Sequence, residues 1–596
     1  MALHRAGKPA EAVPFYDAAL ALSPGNAEVL THRGTALCAL GRIDEALADY
    51  WRALASPGAR PQPLLLQIAR ALAAGKRRSE ALAVLSDILA RDPRHQEGWA
   101  LLASLLFQGR QSAAGEAALR RALDLAPGTT AWEVRLGAHL AHEGRYAEAE
   151  ALLRQTAARA PLSADAQAAL GQAYINLGEL DRAEPCLRRA MELDAEHLDA
   201  RLGLARKLLL EGALQPGWVE YEWRRRKADF RMAKLKGPEW NGEPLDGKTL
   251  LVHSEQGFGD LLQFVRYLPP LARRGARLLL AVPQPLTRLL QSLDGVAEVM
   301  AALPRDLAYD YHVPLLTIPR ITGLGEDLLA PSIPYLTPPS AGPLLPRIPG
   351  ERLRVGLVWA GSPKHANDHK RSLPLATLLP LAGLDGIGLY SLQVGPHAAD
   401  IAREAHGLLV HDLAPVLKDF AETAAVVAQL DLVITVDSAV AHLAGALGRP
   451  VWMLTPFAPD WRWILGRDDS PWYPTLRLYR QTTPDAWEDV VARLAADLAA
   501  RIQAAPDPEA QALSPLPSRF ATAEGRPRFT LSLPRRAVIT ASKTSTTYLK
   551  AIGNESGNTN FRIPAIVASM APPRCGRMYP INLNNGLRSL HCFDTQ

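Results

Sequence analysis

Three clusters of side chains in this 596-residue chain have the types and spacing for chemistry. The first is HSEQGFGD, residues 253–260, which follows a short apolar run. Asp260 falls in the first turn of the helix that this segment opens. It can complement that helix's dipole, or serve as a general base facing a cleft. Glu255 and Gln256 stand beside it, and Gly257 and Gly259 let a ligand or another backbone come close. The second cluster is the polar loop 364–372, KHANDHKRS. Lys364, Lys370 and Arg371 directly after a strand suit a diphosphate. The third is DLVITVDSAVAHLAGALGRPVWMLTP, residues 431–456. Asp437 and Ser438 stop a β-branched run and cap the next helix, whose free N–H groups suit a phosphate. His442 lies one turn further on the same face. An ordinary βαβ unit with a capping Asp and a surface His accounts for this stretch equally well.

These residues need elements to hold them. Residues 432–436 form a chargeless apolar run, the pattern of a strand buried on both faces of a parallel sheet. Strands are expected at 248–252, 278–282, near 311–316, at 353–359, 388–393 (ending at Gln393) and 451–454. Helices are expected at 261–268, 439–447 and 487–502. In such a sheet the turn after each strand lies at the ligand edge. No GxGxxG occurs at the first turn, which argues against a dinucleotide site. Beyond the last of these strands, residues 457–463 (FAPDWRW, with Asp460 and Trp461) and 470–474 (SPWYP) interleave aromatics with Arg and Asp. That pattern suits stacking on a sugar or base, and equally suits packing between domains.

The first third has a different rhythm. Gly7, Gly41, Gly75, Gly109, Gly144, Gly178 and Gly212 recur at spacings of 34 or 35 residues. Pro24, Pro57, Pro93, Pro127 and Pro161 fall between them. In one unit the marks are Gly171, Tyr174, Gly178, Ala183, Leu187 and Ala190; in another, Gly34, Leu37, Gly41, Ala46, Tyr50 and Ala53. Residues 1–214 thereby resemble tetratricopeptide repeats, helical hairpins that stack into a solenoid with a concave groove. The resemblance implies a protein or peptide partner in that groove; stacking alone is the alternative.

Length implies several domains. The net charge of +5 is dispersed along the chain and argues against nucleic acid. The four cysteines, Cys38, Cys186, Cys575 and Cys592, have no metal spacing and suit free thiols in a reducing compartment. The N-terminus lacks the pattern of a signal peptide, and no apolar run of membrane-spanning length occurs, so a cytoplasmic location is expected. A junction at 215–247 carries RRRK, residues 224–227, expected as a solvated helix packing Trp218 and Trp223 on the next domain. The tail, 505–596, is rich in Ser, Thr, Asn and Pro and is expected to be disordered or unrelated.

Two tandem α/β halves, 248–345 and 350–503, would enclose a cleft. With Gly259-Asp260 and TVDSAVAHLAGALGRPVW at 435–452, they resemble the glycosyltransferase-B fold of two Rossmann-like halves. The resemblance is to glycosyltransferase family 9, the heptosyltransferases, and the whole chain resembles bacterial fusions of tetratricopeptide repeats to such a domain. The resemblance implies Asp260 as catalytic base. It implies donor binding by Lys370 or Arg371 and by Asp437, Ser438 and His442. Gln393, at its strand's end, is expected beside them, and Glu255, Gln256, Gly257, Gly259, Asp460 and Trp461 are expected at the acceptor or cleft, although the Glu255-Gln256 pair and the DWRW segment are not typical of the family. It further implies a nucleotide-sugar donor, a protein or glycan acceptor, and neither metal nor cofactor. Ser438-Ala439 replaces the family's usual Thr-Gly, which leaves the sugar open. The alternative expectation is a non-catalytic repeat scaffold with a degenerate nucleotide-binding domain.

Overall fold

The alternation of small and large residues in the repeats builds a helical array. The computed structural model describes Leu3, residues 6–227, Phe230, and residues 235–323, 333–365 and 367–505. The tail from 506, with Cys575 and Cys592, lies outside the described residues. Among these, helices follow one another without a strand from Pro9–Leu22 to Leu214–Tyr221. Hairpins such as Ala27–Ala39 with Ile43–Ala55, and Ala164–Asn176 with Leu180–Leu193, pack through a small residue set against a large one. A methyl group added to Gly171 would stand 2.7 Å from Leu187 Cγ, and one added to Gly34 would stand 2.8 Å from Tyr50 Cε1. Close approach of two helices therefore requires glycine at these positions.

The turn glycines are used in two ways. Gly41, Gly144, Gly178 and Gly212 adopt positive φ, between 75° and 84°, as a helix-ending residue in the left-handed region should. In two repeats that conformation moves one residue on. Gly75 and Gly109 are helix caps with negative φ, while Lys76 (φ 60°) and Arg110 (φ 58°) carry the left-handed turn.

The α/β region holds two all-parallel sheets. The first, in order β3-β2-β1-β4, comprises β1 Thr249–His253, β2 Arg277–Ala281, β3 Val296–Met300 and β4 Tyr311–Pro314. The second is ordered β10-β9-β8-β5-β6-β7, with β5 Leu353–Val358, β6 Ile387–Ser391, β7 His411–Asp412, β8 Leu432–Val436, β9 Val451–Thr455 and β10 Leu476–Arg480. The apolar runs at β8 and β9 are buried throughout, as their composition predicts. The edge strands β3, β7 and β10 escape sequence reading. β3 (VAEVM) and β10 (LRLYR) carry charges on exposed positions, and β7 is two residues long. With the solenoid ahead of it, this pair of sheets is consistent with a glycosyltransferase-B region. Among the described residues no helix is long and apolar enough to cross a membrane.

The junction departs from expectation. Trp218 is buried, edge-on to Phe264 (5.6 Å), Trp461 (5.1 Å) and Trp472 (6.5 Å). Arg224, expected in solvent, is 3% exposed and bonds Glu222, Thr317 and Glu255. It lies beneath the cleft because three oxygen-bearing side chains there bond its two amino groups. Trp463, Trp472 and Tyr473 are likewise interior, so most of the late aromatics pack between domains and leave few faces for stacking on a ligand. The free thiols Cys38 and Cys186 are half-buried.

Candidate active site

Each sheet reverses its strand order once, between β1 and β4 in the first and between β5 and β8 in the second. At such a switch point the connections leave in opposite directions and open a crevice at the strands' carboxyl ends. The three chemical clusters of the sequence lie at these two crevices.

After β1 the chain turns through residues 254–257 into the helix Phe258–Phe264. Asp260 closes that turn, with the Gly257 N–H donating to its Oδ2 at 2.8 Å. Its other oxygen accepts from Arg462 Nη2. Arg462 is 7% exposed. It also donates to Gln263 Oε1 (2.7 Å) and Asp460 Oδ1 (2.8 Å), and stacks on Trp461 at 4.1 Å. One guanidinium thus ties the first half's carboxylate to the second half's. Burial alone would raise the Asp460 carboxyl, but Arg462 outweighs it and holds the group below the ordinary range. Glu255 accepts from Arg224 at 2.7 Å and from the Leu316 N–H at 3.2 Å. Burial nonetheless pushes its carboxyl up, against the pull of Arg224. Gln256 bonds the Tyr221 hydroxyl.

At the second crevice Val358 of β5 lies beside Thr435 of β8. The segments that follow them carry Gly361 on one side and Asp437 and Ser438 on the other. Arg371 reaches back over this edge: a methyl group on Gly361 would meet Arg371 Nη2 at 2.6 Å and Asp368 Oδ1 at 2.5 Å. Burial, then the Asp460 charge, push the half-buried Asp437 up to about 6, with Arg371 acting against the shift. Ser438 occupies the N-cap position of the helix Ala439–Ala446, but its hydroxyl bonds Thr435 Oγ1 at 2.9 Å and makes no capping bond. The first turn of that helix is left without a side-chain cap, and the Arg371 charge acts on Asp437 just before it.

The structure departs from the expected donor set at three positions. Lys370 points away from the crevice. Its Nζ donates to the carbonyl of Ala141 at 2.6 Å and sits 4.9 Å above the Tyr146 ring, both in the repeats. Gln393 is 3% exposed and spends its amide on backbone, accepting from the Trp359 and Ala360 N–H groups and donating to the Ala360 and Val394 carbonyls. It braces β5 against β6. His442 is 4% exposed, bonds the Tyr473 hydroxyl at 2.9 Å and stacks on Trp463 at 5.3 Å. Burial, with Arg462 nearby, pulls its imidazole down to about 3, so it is neutral and offers a phosphate no charge. Gly259 also proves to be a packing residue, because a methyl group there would stand 2.9 Å from His442 Cδ2. Lys364 is exposed.

One cavity of about 840 Å³ unites the clusters of the first crevice with the repeats. Glu255, Gln256, Asp260, Asp460, Trp461 and Arg462 line it on one side. On the other are small residues of three repeat helices, among them Ala138 and Ala141 of Thr130–His142, Ala169 of Ala164–Asn176 and Gly203 of Leu198–Leu210. Gln172, Asp199 and Arg206 add polar groups to that face. Sequence reading singled out the DWRW segment yet passed over Arg462, the residue at its centre. An Arg between aromatics and two residues after an Asp was the available signal.

Comparison with known proteins agrees with this architecture. Residues 3–48 and 140–192 match one tetratricopeptide-repeat family model, and residues 66–130 match another. Residues 392–455 match the family model for glycosyltransferase family 9 (heptosyltransferase), a stretch that contains β8 and Asp437. The chain is 30% identical over 358 residues to Protein FlbA of Caulobacter vibrioides, covering 54% of this chain and 59% of that protein. The match thus spans less than two thirds of its relative's length. Among solved structures, a thermophilic tetratricopeptide-repeat protein of Thermus thermophilus is 27% identical with a TM-score of 0.27, over 31% of this chain and 99% of its own. A tetratricopeptide-repeat protein of Parabacteroides merdae is 17% identical with a TM-score of 0.33, over 38% and 89%. The chain therefore carries tetratricopeptide repeats in its N-terminal region and a glycosyltransferase family 9 segment further on.

Proposed function

We propose that this repeat-bearing chain is a glycosyltransferase that moves a sugar from a nucleotide-sugar donor to an acceptor presented by the repeat groove. The observation that carries the reading is the single cavity whose walls are the repeat helices and both α/β halves, with Asp260, Asp460 and Arg462 along it. A solenoid that only stacked on the domain would not need to share that space with the cleft. The donor's diphosphate sits at the second crevice, between Arg371 and the first turn of Ala439–Ala446. The acceptor hydroxyl approaches from the repeat side and loses its proton to Asp260 as it attacks the anomeric carbon. The bond to the diphosphate breaks, and Arg371 and the helix N–H groups take up its charge. Arg462 keeps the Asp260 carboxylate turned into the cavity.

A second reading, a repeat scaffold without catalysis, draws on one observation: both Asp260 oxygens are already engaged, by Gly257 and Arg462. Thermal stability of the full chain against a panel of nucleotides and nucleotide sugars separates the two. A ligand that binds only the folded protein at about 100 times its dissociation constant stabilises it by roughly 2.7 kcal/mol. The transferase reading expects such a shift for one nucleotide class, absent in Arg371→Ala, together with slow consumption of the matching nucleotide sugar. No shift with any nucleotide would leave the scaffold.

A further inference from the structure

The four-residue helix Asp368–Arg371 turns its cations in two directions. Arg371 lies over Gly361 at the second crevice, with Nε 3.3 Å from Asp368 Oδ1. The two residues before it leave the α/β domain altogether. His369 Nε2 donates to the carbonyl of His142 at 2.8 Å, its ring 4.4 Å from the His142 ring. Lys370 Nζ donates to the carbonyl of Ala141. Those carbonyls end the repeat helix Thr130–His142, where the dipole favours cations; the Ala141 carbonyl also accepts from the Gly144 N–H at 3.3 Å. The same helix lines the groove with Ala138 and Ala141. One repeat helix therefore touches both the acceptor space and the loop that carries Arg371.

We propose that His369 and Lys370 are positioning residues through which the repeat helix Thr130–His142 holds Arg371 in place for the donor diphosphate. The proposal rests on the donor site described above. On the α/β side the described ties are the Gly361 N–H to Ser372 Oγ and the Leu373 N–H to the Trp359 carbonyl, both at 2.9 Å and both after Arg371, while Asp368 bonds Arg371 and the Ser372 N–H within the turn. A helix of one turn cannot hold its own geometry, so the long-range bonds to the repeats, made by the two residues before Arg371, complement the anchors after it in setting where Arg371 stands. Lys370 is suited to this task. Its head is half-buried against the Tyr146 ring, and burial followed by the Arg206 charge pulls its ammonium down to about 8. Freely hydrated lysines at a phosphate site show no such perturbation.

The test is a double-mutant cycle on the full chain, read by calorimetry with uridine, guanosine, adenosine, cytidine and thymidine diphosphates as probes. For the nucleotide that wild type binds, Arg371→Ala and Lys370→Ala should each weaken affinity at least tenfold. The double variant should bind no more weakly than Arg371→Ala alone, because Lys370 acts only through Arg371. Lys370→Arg, which keeps a donor for the Ala141 carbonyl, should restore most of the loss. Wild-type affinity in Lys370→Ala beside a weakened Arg371→Ala would overturn the coupling and leave the donor site standing, as would additive losses in the double variant. Unchanged affinity in Arg371→Ala, or no binding of any probe by wild type, would remove the donor site and the coupling with it. Should Lys370→Ala fail to fold, His369→Ala enters the same cycle with the same expectations.

Discussion

Arg462 of the second α/β half donates to Asp260 of the first, and through its other amino group to Asp460. The ion pair crosses the cleft between the halves, so it contributes both to the chemistry proposed for Asp260 and to keeping the halves together. Replacing Arg462 by Ala would strip both carboxylates of the guanidinium they share, leaving Asp460 only the Arg206 charge. Breaking a buried pair in this way costs about 3–5 kcal/mol. Urea denaturation of Arg462→Ala should show a loss in that range, and Arg462→Lys, which keeps a charge but not the fork, should fall between it and wild type.

Asp260→Asn removes the proton acceptor and keeps the shape. Loss of general-base catalysis of this kind lowers turnover by about 10²–10⁴-fold. Nucleotide affinity should stay within a few-fold of wild type, since the donor crevice lies at the other sheet. Turnover that survives the substitution would transfer the role of base to another group.

The Asp437 carboxyl titrates near 6 in the folded chain, against about 4 when unfolded. Between these values the folded state holds the extra proton. Stability therefore falls as pH rises through this window, and the penalty is fully present above about 6. Asp437→Asn should flatten that slope and stabilise the chain at pH 7, measured as denaturation midpoints between pH 4 and 7. A nucleoside diphosphate brings further negative charge to the crevice, so wild type should bind it more tightly below pH 6 than at pH 8.

The left-handed residues Lys76 and Arg110 should be improvable. A side chain at positive φ costs roughly 1 kcal/mol that glycine does not incur. Lys76→Gly and Arg110→Gly should each stabilise by up to about 1 kcal/mol, whereas Gly178→Ala at φ 77° should destabilise. Denaturant midpoints at constant m-value would register all three.

Ala169→Trp fills the repeat side of the cavity, whose lining does not include Arg371, Asp437 or Ser438 of the donor crevice. Nucleotide binding should match wild type while transfer to any acceptor falls. Transfer that persisted would show that the acceptor reaches Asp260 by another route.

Local pattern was enough for several of these features. A period of 34 residues, with glycines opposite large apolar residues, specifies a stack of helical hairpins, because each hairpin buries its face only on its neighbour. The charge-free run at 432–436 specifies a buried strand, the Asp-Ser turn marks its end, and the Gly-Asp pair marks a helix start. Tertiary structure decided which of the marked side chains share a space. Lys370 and Arg371 are adjacent in sequence, yet one serves the repeats and the other the crevice, because a single helical turn sends neighbouring side chains about 100° apart. His442 is neutral because burial between Trp463 and Tyr473 removes the water that a charged imidazole needs. Arg462 gains its place from two carboxylates, one of them about two hundred residues away in the chain. The cavity between groove and cleft has no local signature, since its walls come from segments that meet only when the repeats pack on the sheets.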